Sequence, residues 1–359
     1  MYTTTGRRSH RLNQLNGSTE FRPNYHRSHC LSQFLHIPGQ GIEHKKKRQL
    51  CERSKFCFCE LFYSWQVLIL NSAELKERIN NLSIWKKGDQ RAPHKPLLIL
   101  YALGQMQNNK ARFLAYEEVK DPMKNLLKEF GPSRQSYHPE EPFVRLTKDG
   151  IWALNMDTEW VQINGPWLSK HEVAGGFNDE VYSLLHSDAN LVREIAEMLL
   201  NKHFPETIHE DVLSAVGLDF DFQINKYRDP KFRDRILRAY EYSCAVCGFN
   251  VRLGNNLIAV EAAHIKWHQA GGPDSEENGI ALCAMHHKLF DRGVFTVNDS
   301  KELLVAEEAN GTNGFQEWLM RYHGQPIRLP IHPDYQPKTS FIDWHIREVF
   351  KGPGRYRIV

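Results

Sequence analysis

Four metal-ligating side chains in two close pairs constrain the fold of this chain most. Cys244 and Cys247 form a C-x-x-C pair, and after 35 intervening residues Cys283 is followed by His286 three positions later. Thiolates and an imidazole at such spacings are typical of a tetrahedral structural Zn²⁺ site. The alternative is that the cysteines are buried free thiols that pack as small hydrophobic groups. The paired spacing favours zinc, which supplies folding free energy to a small region with long loops.

The length of 359 residues predicts two or three domains. We interpret residues 1–70 as a disordered or non-native extension, although a basic arm that holds DNA is the alternative. A first folded domain is predicted at 71–204, a linker at 205–228, and a second domain at 229–359.

Composition narrows the class of protein without naming a function. Hydrophobic residues make up 41% of the chain and charged residues 25%, as in ordinary globular proteins. The formal net charge is only +3, so a nucleic-acid footprint must come from local clusters of cations. The longest apolar run, residues 61–70, is too short to span a membrane. We therefore expect a cytoplasmic protein with no membrane partner.

The hydrophobic pattern predicts a mixed α+β protein in which helices dominate the first domain. Helices are expected at 72–82, 94–106, 190–203 and 230–240, of which the one at 94–106 is rich in Leu and Ile. Residues 257–265 read as an apolar strand. The segment 280–292 is interpreted as a helix that Gly293 ends.

Histidines beside the cysteines point to a second metal centre. On one helix His286 and His287 would point about 100° apart, so they serve different metals. His287 and Asp291 share a helix face, where an imidazole and a carboxylate can hold a divalent cation. His264 ends the predicted strand, and a Gly-Gly-Pro-Asp turn lets the chain return at Asn278. The pattern predicts a hairpin with His264 packed across a helix with His287.

His264, Asn278 and His287, flanked by CAVC and LCAMHH, resemble the signature of HNH endonucleases, a family with a ββα-metal fold. The resemblance implies that His264 is the general base, that Asn278 orients the loop, and that His287 ligates a catalytic Mg²⁺ or Mn²⁺ ion. The family often has a further ligand just before the general base, where this chain has Ala263. Asp291 is our candidate to replace it.

Three segments of the first domain, at 88–96, 133–146 and 174–177, combine cations with Pro, Gly or aromatic residues. They resemble the sulfur-binding domain of phosphorothioate-dependent restriction endonucleases, which precedes an HNH domain in the same order. The resemblance implies that His138, Pro139 and Pro142 form an apolar pocket for the backbone sulfur. The remaining predicted DNA contacts are cations for phosphates and a glycine for close approach to a groove: Arg91, His94, Lys95, Arg134 and Gly176.

The sequence therefore predicts a type IV-like restriction endonuclease that binds phosphorothioated double-stranded DNA, as a possible homodimer, and hydrolyses nearby phosphodiesters. One alternative is an HNH endonuclease that reads another mark, such as methylcytosine. The other is a non-catalytic DNA-binding protein whose zinc module is only structural.

Overall fold

The computed structural model describes residues 70–85, 87–219 and 230–355. The helices in chain order are α1 Ser72–Asn80, α2 His94–Gln107, α3 Tyr116–Phe130, α4 Glu140–Arg145, α5 Gly165–Lys170, α6 Asp179–Ser187, α7 Ala189–His203, α8 His209–Val216, α9 Pro230–Ala239, α10 Ala284–Asp291, α11 Asn313–Trp318 and α12 Thr339–Glu348. The strands are β1 Leu114–Ala115, β2 Trp152–Leu154, β3 Ala174–Phe177, β4 Val251–Leu253, β5 Asn256–Ile258, β6 Val260–His264, β7 Gly279–Cys283, β8 Phe295–Val297 and β9 Leu303–Val305. No helix among these residues is long and apolar enough to cross a membrane.

The first region, residues 70–219, is a helical assembly around α2. That helix is apolar on nearly every face, as expected for a helix surrounded by protein. It contacts α3, α4, α7 and α8. Side chains fix where the outer helices begin. Asn71 accepts a hydrogen bond from the amide of Glu74 at 2.9 Å, and Asp188 accepts from the first amides of α7.

A small antiparallel sheet in the order β1-β3-β2 closes one side of this region. Its register pairs Leu114 with Gly175 and Trp152 with Phe177. The Trp152 ring packs edge-on against Phe143 of α4 and against Phe177. The sheet therefore ties the segment 174–177 to α4.

The second region, residues 230–355, is built on the hairpin of β6 and β7. The strands are antiparallel, with Val260 opposite Cys283 and His264 opposite Gly279. Helix α9 packs on both strands, and α10 follows β7 directly. Gly293, with φ of +70°, lies just after α10, where its freedom to adopt a left-handed backbone lets the chain turn away.

Each region has its own hydrophobic core, but the two regions are in contact. Trp267, Trp344 and Val349 of the second region are buried with the residues of the first core. The described residues from position 70 onward lie in one compact unit.

The predicted α+β class is confirmed, and the helices expected at 72–82, 94–106, 190–203 and 230–240 are present with ends shifted by a few residues. Three segments differ from expectation. The predicted strand at 257–265 is divided between β5 and β6, with Ala259 at a positive φ of 54° between them. Gly279–Cys283 is a strand, because its backbone pairs with β6, so the helix begins only at Ala284. The predicted linker contains α8, whose Val212 and Leu213 are buried in the first core. Of the predicted extension at 1–70, only Leu70 lies among the described residues, and it is buried.

Candidate nuclease centre and sulfur-binding pocket

Cys244, Cys247, Cys283 and His286 converge on one point. Their ligand atoms all lie within 4.8 Å of one another. The His286 Nδ1 atom is 3.2 Å from the sulfur of Cys283 and 3.7 Å from that of Cys244, and the sulfurs of Cys247 and Cys283 are 4.0 Å apart. Ligands of a tetrahedral ion with bonds of about 2.0–2.3 Å lie about 3.5–3.8 Å apart. The four atoms therefore fit a tetrahedral metal ion.

Local backbone structure brings these ligands together. The amide of Gly248 donates to the carbonyl of Cys244 at 2.9 Å, which closes a tight turn around the first two cysteines. Cys283 ends β7 and His286 lies in the first turn of α10, so one strand-to-helix junction supplies the second pair. The Nε2 atom of His286 contacts the carbonyl oxygen of Trp318 at 2.7 Å. This contact leaves Nδ1 as the ligating nitrogen.

His264 occupies the end of β6, half-buried, with its ring stacked on Phe232. Its Nε2 atom is 2.7 Å from an oxygen of Asp274. Burial lowers the pKa of His264, and the hydrogen bond and charge of Asp274 partly oppose this effect. The imidazole is therefore neutral at neutral pH. With Nε2 held by the carboxylate, Nδ1 is the nitrogen that can accept a proton from water.

Asn278 is fully buried and binds the loop that follows His264. Its Oδ1 atom accepts from the amide of Lys266 at 2.8 Å. Its Nδ2 atom donates to the carbonyls of Lys266 at 3.0 Å and of Pro273 at 2.9 Å. The side chain thus closes the loop between the two ends of the hairpin, which places Asp274 against His264.

His287 lies between two carboxylates. Its Nδ1 atom is 2.7 Å from an oxygen of Glu261, and its Nε2 atom is 3.2 Å from an oxygen of Asp291. Asp291 also accepts hydrogen bonds from the indole of Trp267 at 3.0 Å and from the hydroxyl of Thr207. Burial raises the pKa of Asp291, but the charge and hydrogen bond of His287 and the hydrogen bond of Thr207 outweigh this, so its pKa is lowered.

His264 and His287 face the same cavity. Its volume is about 280 Å³, and its walls include both histidines, Asp274 and Asp291. The cysteine cluster is the only group of three or more convergent His, Cys, Asp or Glu ligands within the described ranges. An ion beside His287 would therefore need water or substrate oxygens to complete its shell.

A second cavity, of about 660 Å³, lies in the first region beside α2 and α4. His94, His138 and Pro142 line this cavity. Pro139 lies between His138 and the first residue of α4 in the sequence, and it is buried. His138 is held by Ser136 at 2.9 Å and by Glu140 at 3.0 Å. Burial, with the nearby charges of His138 and Arg134, lowers the pKa of His94. The cavity thus combines proline and imidazole rings.

Two stretches of the chain match known protein families. Residues 72–221 match the family described as ScoMcrA-like DNA sulfur-binding domain, and residues 244–298 match the HNH endonuclease family. In chain order, the first region is thus similar to a ScoMcrA-like DNA sulfur-binding domain and the second to an HNH endonuclease domain, and the two regions are called by these names below. The predicted order of the two domains and the prediction of an HNH nuclease are thereby confirmed.

Solved structures and curated proteins add little to this assignment. The sulfur-binding domain of SprMcrA, complexed with phosphorothioated DNA, is 22% identical, with a TM-score of 0.36 over 42% of this chain and 95% of the other. The modification-dependent TagI restriction endonuclease is 24% identical, with a TM-score of 0.25 over 37% of this chain and 41% of its own. No curated protein sequence matches the chain.

Three cations predicted to contact DNA phosphates have partners within the protein. The guanidinium of Arg91 donates to the backbone carbonyls of Glu348 and Phe130, and the guanidinium of Arg134 donates to the carboxylate of Glu348. Lys95 forms an ion pair with Asp149 at 2.5 Å, with little of either side chain exposed. These contacts are made within the protein. Among the described residues, His94 is the predicted basic side chain that lines the cavity without forming an ion pair.

Gly176 also has a packing role that differs from the predicted one. A Cβ atom at this position would lie 2.0 Å from the carbonyl oxygen of Arg112, and one at Gly175 would lie 2.7 Å from the indole nitrogen of Trp152. The two glycines therefore allow close packing of the sheet inside the sulfur-binding domain. The sequence analysis instead predicts that Gly176 lets the backbone approach a DNA groove.

Sequence reasoning missed three polar neighbours of the HNH centre. The sequence pattern places Asp274 in a turn, Glu261 in the predicted strand and Thr207 in the predicted linker. Glu261 lies in the same strand as His264, two positions before Ala263, where a metal-binding side chain was expected. Its carboxylate could therefore have been recognised from the sequence. The contacts of Asp274 and Thr207 depend on tertiary structure and could not.

Proposed function

We propose that this protein is a modification-dependent restriction endonuclease, which binds phosphorothioated double-stranded DNA and hydrolyses nearby phosphodiesters. The observation that carries the proposal is the cavity shared by His264 and His287 in the HNH domain. A general base and a metal-ligating imidazole must both reach the same phosphate, and the common cavity allows this.

His264 acts as the general base in this proposal. Its Nε2 atom is held by Asp274, so Nδ1 removes a proton from the attacking water while the carboxylate stabilises the imidazolium that forms. Asn278 keeps the loop with Asp274 in place. The P–O bond to the leaving group then breaks as the new P–O bond forms, and the departing oxygen takes a proton from solvent.

His287 and Asp291 are the protein ligands that we propose for Mg²⁺ or Mn²⁺. Their facing atoms are 3.2 Å apart, close to the separation of about 3 Å between adjacent ligands of an ion with bonds of about 2.1 Å. Glu261 holds the other ring nitrogen, as carboxylates commonly do behind metal-bound histidines. When bound, the ion neutralises charge that develops on the phosphate.

Zn²⁺ is the ion that we propose for Cys244, Cys247, Cys283 and His286. Three thiolates and one imidazole leave no open position, so the role of this site is structural.

His138, Pro139 and Pro142 are the residues that we propose for sulfur recognition. Sulfur is larger and more weakly hydrated than the oxygen it replaces, so contact with proline methylenes favours it over a phosphate oxygen. His94 lies in the same cavity and is our candidate for an adjacent backbone contact. The reading and cutting sites thus belong to different domains of one chain.

The decisive experiment for cleavage uses one plasmid from a phosphorothioating host and the same plasmid from a host without that pathway. Wild-type protein with Mg²⁺ or Mn²⁺ should cut only the modified plasmid, and His264→Ala should cut neither while it still binds the modified DNA. His268→Ala is the matched control, because His268 lies at the same cavity but has no proposed chemical role. Equal cleavage of both plasmids would reject the modification-dependent reading.

Sulfur recognition is tested in the His264→Ala background, where DNA stays intact. Binding is compared between identical duplexes with and without one stereodefined phosphorothioate. Pro142→Ala should reduce the preference for the sulfur-containing duplex, and Pro122→Ala, a proline substitution within α3, should not. Equal affinity of the parent protein for both duplexes would eliminate sulfur reading. The predicted homodimer stays a prediction, which light scattering on the DNA complex can check.

A further inference from the structure

The nuclease cavity is built partly by the sulfur-binding domain. Pro205 and Glu206 line the cavity with His264 and His287, although both precede the HNH match and lie within the sulfur-binding match at 72–221. They belong to the short segment that enters α8. One wall of the cavity therefore comes from the domain that reads DNA.

Thr207, the next residue, contacts the nuclease centre directly. Its hydroxyl donates a hydrogen bond to Asp291, on the carboxylate oxygen that also faces the Nε2 atom of His287. Asp291 is almost fully buried, so its orientation depends on such donors and not on water. The hydroxyl of Thr207 therefore fixes the carboxylate that we propose as an ion ligand.

A second path from the same domain ends on the other oxygen of Asp291. The indole N–H of Trp267 donates to that oxygen at 3.0 Å. The guanidinium of Arg91, from the sulfur-binding domain, lies over the Trp267 ring at 3.9 Å from its centroid. Arg91 is itself fixed by the backbone carbonyls of Glu348 at 2.9 Å and of Phe130 at 3.0 Å.

We propose that the sulfur-binding domain completes the nuclease centre: Thr207 is a positioning residue for Asp291, and Arg91 acts on the same carboxylate through Trp267. The inference rests on the proposed function for the identity of the centre as an ion site. Its consequence is that docking of the two domains sets the affinity of the HNH domain for its divalent ion.

The test measures Mn²⁺ affinity by electron paramagnetic resonance on full-length, zinc-loaded protein without DNA. Thr207→Val has nearly the same shape but lacks the hydroxyl, so we expect Mn²⁺ affinity to fall by about 10-fold or more, as for other residues that orient metal ligands. Thr207→Ser keeps the hydroxyl and should restore wild-type affinity. Thr147→Val is the matched control, because the Thr147 hydroxyl donates to a backbone carbonyl within the sulfur-binding domain.

A second pair of variants tests the other path and remains informative if a Thr207 variant folds poorly. Trp267→Phe keeps an aromatic ring under Arg91 but removes the donor to Asp291. Trp344→Phe removes an indole donor from the same domain junction, where the partner is the carbonyl of Asp89. We expect weaker Mn²⁺ binding for Trp267→Phe alone. Equal Mn²⁺ affinity of Trp267→Phe, Thr207→Val and wild-type protein would overturn the proposal.

The role of Arg91 is tested by a double-mutant cycle. If Arg91 acts through Trp267, Arg91→Ala weakens Mn²⁺ binding in the wild-type background and has little further effect with Trp267→Phe. Independent, additive effects would overturn that part. Cleavage of both plasmids by wild-type protein would reject modification dependence, whereas these ion-binding comparisons would still show whether the sulfur-binding domain positions Asp291.

Discussion

Asn278→Ala offers a quantitative test of how the HNH loop is held. The substitution removes three hydrogen bonds, of 2.8, 3.0 and 2.9 Å, from a side chain with no exposed surface. At about 1 kcal/mol each, their loss favours opening of the loop by about 3 kcal/mol, which is on the order of a 10²-fold larger open population. The protein should remain folded, because the backbone bonds of β6 and β7 do not involve this side chain.

Amide hydrogen exchange measures this opening directly. The amide of Lys266 loses its acceptor and should exchange on the order of 10²-fold faster. The amide of Gly272, bound to the carbonyl of Trp267, should follow it. Asn298→Ala is the matched control, since Asn298 makes two side-chain bonds to Glu302 in a different turn of the same domain.

The outcome also bears on catalysis. An opened loop moves Asp274 away from His264, so kcat should fall while affinity for modified DNA stays unchanged. Unchanged exchange at Lys266 in a folded Asn278→Ala protein would refute the reasoning. A uniform increase over the whole HNH domain would refute it as well, because it would mean that Asn278 supports global stability instead of this loop.

Three further predictions concern pH, zinc and packing. Burial lowers the pKa of His264 and Asp274 opposes this effect, so kcat should fall on acidification as His264 becomes protonated. Asp274→Asn should lower this pKa further and move the fall in kcat to lower pH in a pH–rate profile. An unmoved profile would count against the pairing of His264 with Asp274. Removal of zinc by a chelator should lower the melting temperature by more than about 10 °C in calorimetry, and an unchanged value would exclude a structural ion. Gly176→Ala should cost about 3 kcal/mol in urea unfolding, because the added Cβ meets the carbonyl of Arg112, and an unchanged midpoint would contradict this.

The sequence was most informative where function depends on short-range spacing. The cysteine pairs and the pair His287 and Asp291 lie within single turns, so their spacing predicted which side chains would meet. His264 and Asn278 are joined by one hairpin, and the turn residues between them predicted the return of the chain. Such contacts follow from local backbone geometry.

Contacts between distant segments were not predictable in this way. Arg91 and Glu348 are 257 positions apart, and the cationic motif around Arg91 suits a phosphate as well as a buried carboxylate. The segment at 279–283 is a short apolar run, which periodicity alone cannot assign to a helix or a strand. The apolar residues of α8 do recur at helical spacing, so this helix could have been recognised within the predicted linker.

Glu348 has a consequence for attempts to recombine such enzymes. Its carboxylate has no exposed surface and accepts from the backbone of Arg91, the guanidinium of Arg134 and the side chain of Arg347. A chimera that fuses this HNH domain to another DNA-binding domain would leave the buried Glu348 carboxylate without two of those donors. Burial of an unpaired charge is strongly destabilising. A stable fusion must therefore supply donors in place of the Arg91 amide and the Arg134 guanidinium, or replace Glu348 by a neutral side chain.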